Sequence, residues 1–300
     1  MPAPLAPLAV STNSIRGELS GTLSALAAVA AAAYPNETQE DAEEKVLAAA
    51  IRAAMSKLES KSKIPFFVTR YTTKELATQE GWVQATDFHK FIQPCDWRRD
   101  TWWRQGARFH LPWSYVGSVT ELRLTLSNDS QVFDVDVTWL QVDQEHAACY
   151  VLPSGLATAG LGYQNLLSYG VWVRGAATGI VPLLIHSRFT AGLVERTGTY
   201  ADPDDEAEAY DPDAESFNTT WDQELVQLYR DNLKLLATAY MLKPIGAYLE
   251  RGGIQISMDG LSETINSQVL QQRTETYEKA ATDWAEGFKQ ETQGMTLVMM

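Results

Sequence analysis

Cysteine and histidine are scarce in this 300-residue chain, which contains two cysteines and four histidines. Cys95 and Cys149 stand far apart, with neither a Cys-x-x-Cys spacing nor a neighbouring histidine cluster. The histidines show no His-x-His or His-Glu-x-x-His spacing, which would indicate a zinc site. We therefore expect reduced, buried thiols, no metal site and no Cys–His pair for nucleophilic catalysis.

Basic residues are outnumbered, because 24 lysines and arginines face 38 acidic residues and leave a net charge of −14. Residues 202–215 contain many of the acids and no base, and their two Asp-Pro steps predict a solvated loop. This loop lacks the glycine and the final glutamate of an EF-hand calcium site. Binding to DNA phosphates requires clustered lysines and arginines, so the charge balance argues against a DNA-binding protein.

Long hydrophobic runs and a basic leader are also missing. The most apolar early stretch, residues 23–34, is mostly alanine and is shorter than a membrane span. Arg16 is the only base before it, whereas a secretion signal begins with a positively charged segment. Because alanine is the best helix former, we expect a helix here and neither secretion nor membrane insertion.

The periodicity of apolar residues predicts an α+β fold. N-terminal helices include one over residues 37–58, which Asn36 or Thr38 can cap. Two long C-terminal helices are predicted over residues 221–249 and 267–292. The first of these is apolar around most of its circumference, which predicts a central helix, and Pro244 kinks it or marks its last turn.

The middle of the chain predicts a β-rich, antiparallel region. It is rich in β-branched and aromatic residues, and residues 132–137 alternate apolar with acidic side chains as a half-buried strand does. The expected organisation is therefore a helical bundle, made of the N-terminal helices and the two long C-terminal helices, with a β-rich central region. Its segments are an N-terminal arm and helices (1–63), the β-rich region (64–200), the acidic loop (201–216) and C-terminal helices with an intervening strand and docking tail (217–300).

Motifs that would indicate catalysis or a cofactor do not occur. The glycine-rich stretch 153–163 lacks the Gly-Lys-Ser/Thr ending of a phosphate loop, and no Gly-x-Ser-x-Gly elbow occurs. Tryptophans and arginines cluster at 97–104, which is typical of core packing but also of a stacking platform for sugars. We therefore predict no catalytic residue and no cofactor, with a carbohydrate- or receptor-binding module as an alternative function.

Two apolar segments near the C-terminus are candidates for assembly. The stretch "GGIQISMDGLSETI", residues 252–265, predicts a short strand and a tight Asp-Gly turn between the two long helices. A lone strand gains its backbone partners from a neighbouring subunit or from the β-rich region, and an apolar tail after Gly294 should dock rather than remain solvated. The predicted interface residues are Ile254, Ile256, Met258, Asp259, Gly260, Leu261, Met295, Leu297 and Val298.

Two motifs in the second half of the chain resemble one protein family. The segment "RFTAGL" contains Arg188, Phe189, Ala191 and Gly192, is typical of the end of a strand and precedes a helix rich in leucine and alanine. The segment "IQISMDGLSE", residues 254–263, follows that helix. Together they resemble the head-to-tail connector, or adaptor, proteins of tailed bacteriophages, and residues 106–124 and 137–155 show weaker similarity. Residues 71–104, 155–169 and the acidic loop look like insertions.

This resemblance implies a structural protein of the virion neck, not an enzyme. Identical subunits would form a ring, a dodecamer in that family, which docks beneath the portal protein at the capsid–tail junction. The ring would carry the next neck or tail protein and line the channel through which genomic DNA passes without specific binding. The resemblance implies no cofactor and no membrane contact, and it implies assembly in the host cytoplasm. A neck stopper or tail-completion protein is the related alternative.

Overall fold

The computed structural model describes residues 8–74, 76, 89–96, 108–126, 131–151, 183–195, 218–252 and 267–293. These residues fall into two compact units. The β unit takes its described residues from Phe67–Leu193, and the helical unit takes them from before Phe67 and after Leu193. Helices and largely antiparallel sheets together confirm the predicted α+β class. The acidic loop, the tryptophan–arginine cluster and the glycine-rich stretch lie outside the described residues.

The described part of the helical unit contains five α-helices and one 3₁₀ turn. Each predicted helix is present, with bounds that differ by a few residues from the sequence estimate. In chain order they are α1 (Thr12–Glu18), the 3₁₀ turn Ser20–Thr22, α2 (Leu23–Ala33), α3 (Gln39–Ser62), α4 (Gln223–Gly252) and α5 (Ser267–Gln293).

The start and the end of α3 follow from local chemistry. Thr38, not Asn36, is the N-cap, and its Oγ1 accepts a hydrogen bond from the Asp41 N–H at 3.3 Å. Glu40 and Asp41 lie in the first turn, where acidic side chains favour the positive end of the helix dipole. Lys63 ends the helix in the left-handed conformation at φ 61°, and its N–H donates to the Glu59 carbonyl.

Helix α4 is the centre of the helical unit, as its apolar circumference predicts. It contacts α1, α2, α3 and α5. The helix continues past Pro244 to Gly252, so Pro244 does not mark its last turn. Leu228 is a large apolar residue of this helix that is not buried, since 43% of it is exposed. Its buried apolar residues are Val226, Tyr229, Leu233, Leu236, Ala237, Ala239, Met241, Leu242, Ile245 and Leu249.

Two sheets form the described part of the β unit. The larger has the order β2-β1-β9-β5-β6, with β3 also paired to β9, and the smaller has the order β4-β8-β7. Every pair is antiparallel except β1 with β2, which is parallel and departs from the prediction. The strands are β1 (Thr69–Thr73), β2 (His89–Ile92), β3 (Cys95–Asp96), β4 (Arg108–His110), β5 (Val116–Leu126), β6 (Gln131–Val135), β7 (Leu140–Asp143), β8 (Ala148–Val151) and β9 (Leu183–Ala191).

The predicted strand over residues 132–137 is shorter in the structure. Strand β6 ends at Val135, and a 3₁₀ turn follows at Val137–Trp139. Asp136 caps this turn, because its carboxylate accepts hydrogen bonds from the N–H and the hydroxyl of Thr138. The same two hydrogen bonds lower the pKa of Asp136. A local side-chain cap therefore overrides the alternating pattern at its last residues.

The core of the β unit draws residues from both sheets. Tyr71 of β1 stacks between Trp113 and Phe189, with ring centroids 5.1 Å and 5.3 Å apart. Phe109 of the smaller sheet is buried in the same apolar cluster. Cys149 of β8 is free and buried there, as the sequence predicts for that thiol.

Candidate functional site

The predicted interface residues fall outside the part of the chain that the structure describes. This applies to the strand residues Ile254, Ile256 and Met258, to the Asp259-Gly260 turn with Leu261, and to Met295, Leu297 and Val298 of the tail. Their pairing and docking stay predictions. The family-like motif around Arg188, in contrast, lies entirely within the described residues.

The aromatic and alanine residues of this motif pack into the core. Strand β9 lies between β1 and β5, and Phe189 pairs with Tyr71 on one side and Val119 on the other. Phe189 and Ala191 are both fully buried. Because alternate residues of a strand face the same side of the sheet, these two residues share the core face of β9. Their role is to fill the interior, and they offer no group to a ligand.

Gly192 ends the motif in a conformation that only glycine adopts readily. Its φ is +149°, and its N–H donates to the Tyr115 carbonyl at 3.0 Å. A Cβ atom built on Gly192 would lie 2.5 Å from both the Cα and the N of Val68. This residue therefore allows the chain to leave β9 directly beside the start of β1.

Arg188 faces away from the core and belongs to a row of four charged residues. Its Nη1 lies 3.4 Å from Oε2 of Glu121, and Glu121 Oε1 lies 3.2 Å from Nη2 of Arg123. Arg123 Nε donates in turn to Asp134 at 2.7 Å. Arg188 also donates to the Leu76 carbonyl at 3.5 Å. This charged row crosses β9, β5 and β6 and contains two positive and two negative groups.

The two arginines of the charged row are largely shielded from water. The side chains of Arg188 and Arg123 are 11% and 15% exposed, whereas Asp134 at the end of the row is 57% exposed. Thr125 and His186 are buried on the same side of the sheet. The Thr125 hydroxyl and His186 Nε2 are 2.7 Å apart and form a hydrogen bond. Each guanidinium is engaged by a carboxylate, so the row can hold the strand register but presents no unpaired charge to a substrate.

Sequence reasoning did not identify the charged row. The alternation in "ELRLTL", residues 121–126, indicates one polar and one apolar face. It does not indicate that Arg188, distant in sequence, lies opposite Glu121, because that pairing depends on the strand order β9-β5-β6. The alternating pattern therefore indicates a polar face of the strand, and only the strand order shows which charged residues pair on that face.

Neither a metal site nor a membrane-spanning helix occurs among the described residues. Within them, no three or more His, Cys, Asp or Glu side chains come together as a metal site. His146 lies in the turn between β7 and β8, where its Nδ1 is 3.0 Å from the Asp143 carboxylate. None of the helices described is both long enough and apolar enough to cross a membrane.

Charged side chains in the helical unit form ion pairs between its helices. Glu18 at the end of α1 bridges Lys234 of α4, at 3.0 Å, and Arg273 of α5, at 3.6 Å. Lys61 of α3 pairs with Glu286 of α5, and this hydrogen bond lowers the pKa of Glu286. These pairs link helices that are distant in sequence, and they are largely exposed.

Comparison with protein-family models gives no match for this chain, and comparison with curated proteins gives none either. The resemblance to phage connectors therefore depends on the motifs themselves. Of these, the segment from Arg188 to Gly192 has a described geometry, and that geometry is structural. The second of the two motifs, residues 254–263, lies outside the described residues.

Proposed function

We propose that this protein is a structural component of a bacteriophage neck. Identical copies would form a ring adaptor that joins the portal vertex to the next neck or tail component and lines the DNA channel. One observation carries this proposal: the segment from Arg188 to Gly192 ends a central strand and is followed along the chain by the long helix α4. That order of strand end and Leu/Ala-rich helix is the one the connector resemblance implies.

The geometry of the motif gives a physical reason for its residues. Phe189 and Ala191 fill the core of the β unit, and Arg188 pairs with Glu121 in the charged row. Gly192 adopts a positive φ beside the Val68 backbone, where a side chain would not fit. Such residues specify a fold rather than a reaction. A structural virion protein needs them for that purpose alone, so we assign no catalytic residue and no cofactor.

The charge of the chain suits the wall of a DNA channel. A net charge of −14 repels phosphates, so DNA can pass without being held. In this proposal the predicted strand around Ile256 pairs with a neighbouring subunit. The apolar tail after Gly294 docks on the portal protein or on the adjacent copy.

Localisation in the virion tests the proposal directly. We expect immunogold labelling of virions from a genome that encodes this chain to mark the capsid–tail junction, and electron microscopy to show a closed ring there. A variant truncated after Gly294 should fold but fail to dock, so that particles lose DNA. Labelling elsewhere on the particle, or absence of the chain from purified virions, would contradict the proposed function.

A further inference from the structure

A groove in the helical unit lies between α2 and the start of α3. Its volume is about 590 Å³, and it opens to solvent. Leu23 and Ala27 of α2 form its apolar side, and Glu40 and Glu43 of α3 form the opposite side. Arg16 of α1 also contributes to the lining. Each of these residues belongs to the described part of the chain.

The apolar side of the groove is open. Leu23 is 42% exposed, which is unusual for a large apolar residue in the described part of the chain. Ala27 follows it by four residues, which places it on the same side of α2, and its methyl group leaves room beside Leu23. An apolar side chain from a partner could therefore be buried against Leu23 without displacing any part of the helical unit.

The acidic side of the groove has one compensated and one uncompensated carboxylate. Glu43 is 13% exposed and is held by Arg16, at 3.3 Å, and by the Gln39 side-chain amide, at 2.9 Å. Glu40 is exposed and has no hydrogen bond or ion pair with the described residues. The rim therefore has negative charge that no described side chain neutralises.

We propose that this groove docks a cationic amphipathic helix of a partner protein. Charge complementarity selects this occupant, because a lysine or arginine on the partner would meet Glu40 while an apolar residue one turn away would cover Leu23. A second copy that presented the same face would place Glu40 against another glutamate, so it fits this groove less well. The groove goes beyond the proposed ring, because docking here needs no contact between subunits.

The chain contains a matched control for this surface. Glu224 lies in the first turn of α4, and Leu228, four residues later, is 43% exposed. This pair therefore also combines a glutamate with an exposed leucine, but neither residue lines the groove. The groove variant is Leu23→Ser with Glu40→Lys, and the control variant is Leu228→Ser with Glu224→Lys. Both double variants change the net charge and the exposed apolar area in the same way.

The probe is a short fluorescent helix of leucine and lysine, and its binding is followed by fluorescence anisotropy with the full chain. We expect the groove variant to lose about tenfold in affinity and the control variant less than about twofold. A third variant, Ala27→Phe, fills the groove without changing its charge and should lose a similar amount. A probe in which glutamate replaces lysine should not bind.

Three results would overturn the proposal. Equal losses in the groove and control variants would indicate general attraction to an acidic protein, and full binding by Ala27→Phe would place the probe elsewhere. Concentration-dependent self-association that Glu40→Lys abolishes would make the occupant a second copy. Circular dichroism of each variant verifies folding, and virion localisation tests the neck assignment separately.

Discussion

The indole ring of Trp284 in α5 meets the phenol ring of Tyr229 in α4 edge-on, with 5.7 Å between the ring centroids. Tyr229 also contacts Phe66, at 5.4 Å between centroids, and its hydroxyl donates to the Ile64 carbonyl at 3.2 Å. Tyr229 is fully buried. A single side chain therefore ties both C-terminal helices to the segment that follows α3.

Replacing Tyr229 with alanine should destabilise the helical unit by about 3–5 kcal/mol, because it removes a large buried ring and leaves a cavity. Tyr229→Phe keeps the ring and should cost only about 1 kcal/mol for the lost hydrogen bond. Urea unfolding followed by circular dichroism measures both changes. Leu228→Ala is the control at the neighbouring, exposed position, and an equal effect of the two alanine variants would contradict the assigned role of Tyr229.

Gly192→Ala should destabilise the β unit by about 3 kcal/mol or more, since the new Cβ would lie 2.5 Å from the Val68 backbone at a φ of +149°. Gly246→Ala in α4 is the matched control. A Cβ at Gly246 meets nothing within 4 Å, so this change should stabilise the helix by about 0.5–1 kcal/mol. Thermal unfolding compares the two variants. A neutral Gly192→Ala would show that the strand end tolerates a side chain.

Glu121→Gln should cost about 2 kcal/mol, because Glu121 is paired with two arginines that are mostly shielded from water. Asp134→Asn, at the exposed end of the charged row, should cost less than about 1 kcal/mol. Denaturant unfolding distinguishes the two variants. Equal losses of stability would mean that shielding from water does not strengthen the two ion pairs of Glu121.

The positions of the helices could be predicted from the sequence more completely than the pairing of the strands. Periodic apolar residues and the Thr38 cap determine where α3 lies, and these signals are local. The parallel pairing of β1 with β2 and the placement of Arg188 beside Glu121 depend on long-range strand order. Local periodicity carries no information about that order, so the charged row could not be predicted.

The candidate site was predictable only in part for the same reason. The motif around Phe189 was recognised as a strand end, and the structure adds that Phe189 and Ala191 are buried and that Gly192 meets the Val68 backbone. The groove beside Leu23 gave no signal in the sequence, because it arises where α2 packs against the start of α3.

The Lys61–Glu286 pair between α3 and α5 should make a pH-dependent contribution to the stability of the fold. Lys61 lowers the pKa of Glu286 below its ordinary value of 4.5 through a hydrogen bond to the charged carboxylate. A carboxyl whose pKa is lower in the folded state stabilises the fold above its unfolded pKa, and this contribution is lost as pH falls through the folded value.

NMR titration of the Glu286 carboxyl should give a midpoint below 4.5, and in the Lys61→Gln variant this midpoint should rise toward 4.5. Added salt should raise the midpoint in the unmodified chain and have less effect in that variant, because the pair is exposed. A midpoint that does not respond to Lys61→Gln would mean that another group sets the pKa of Glu286.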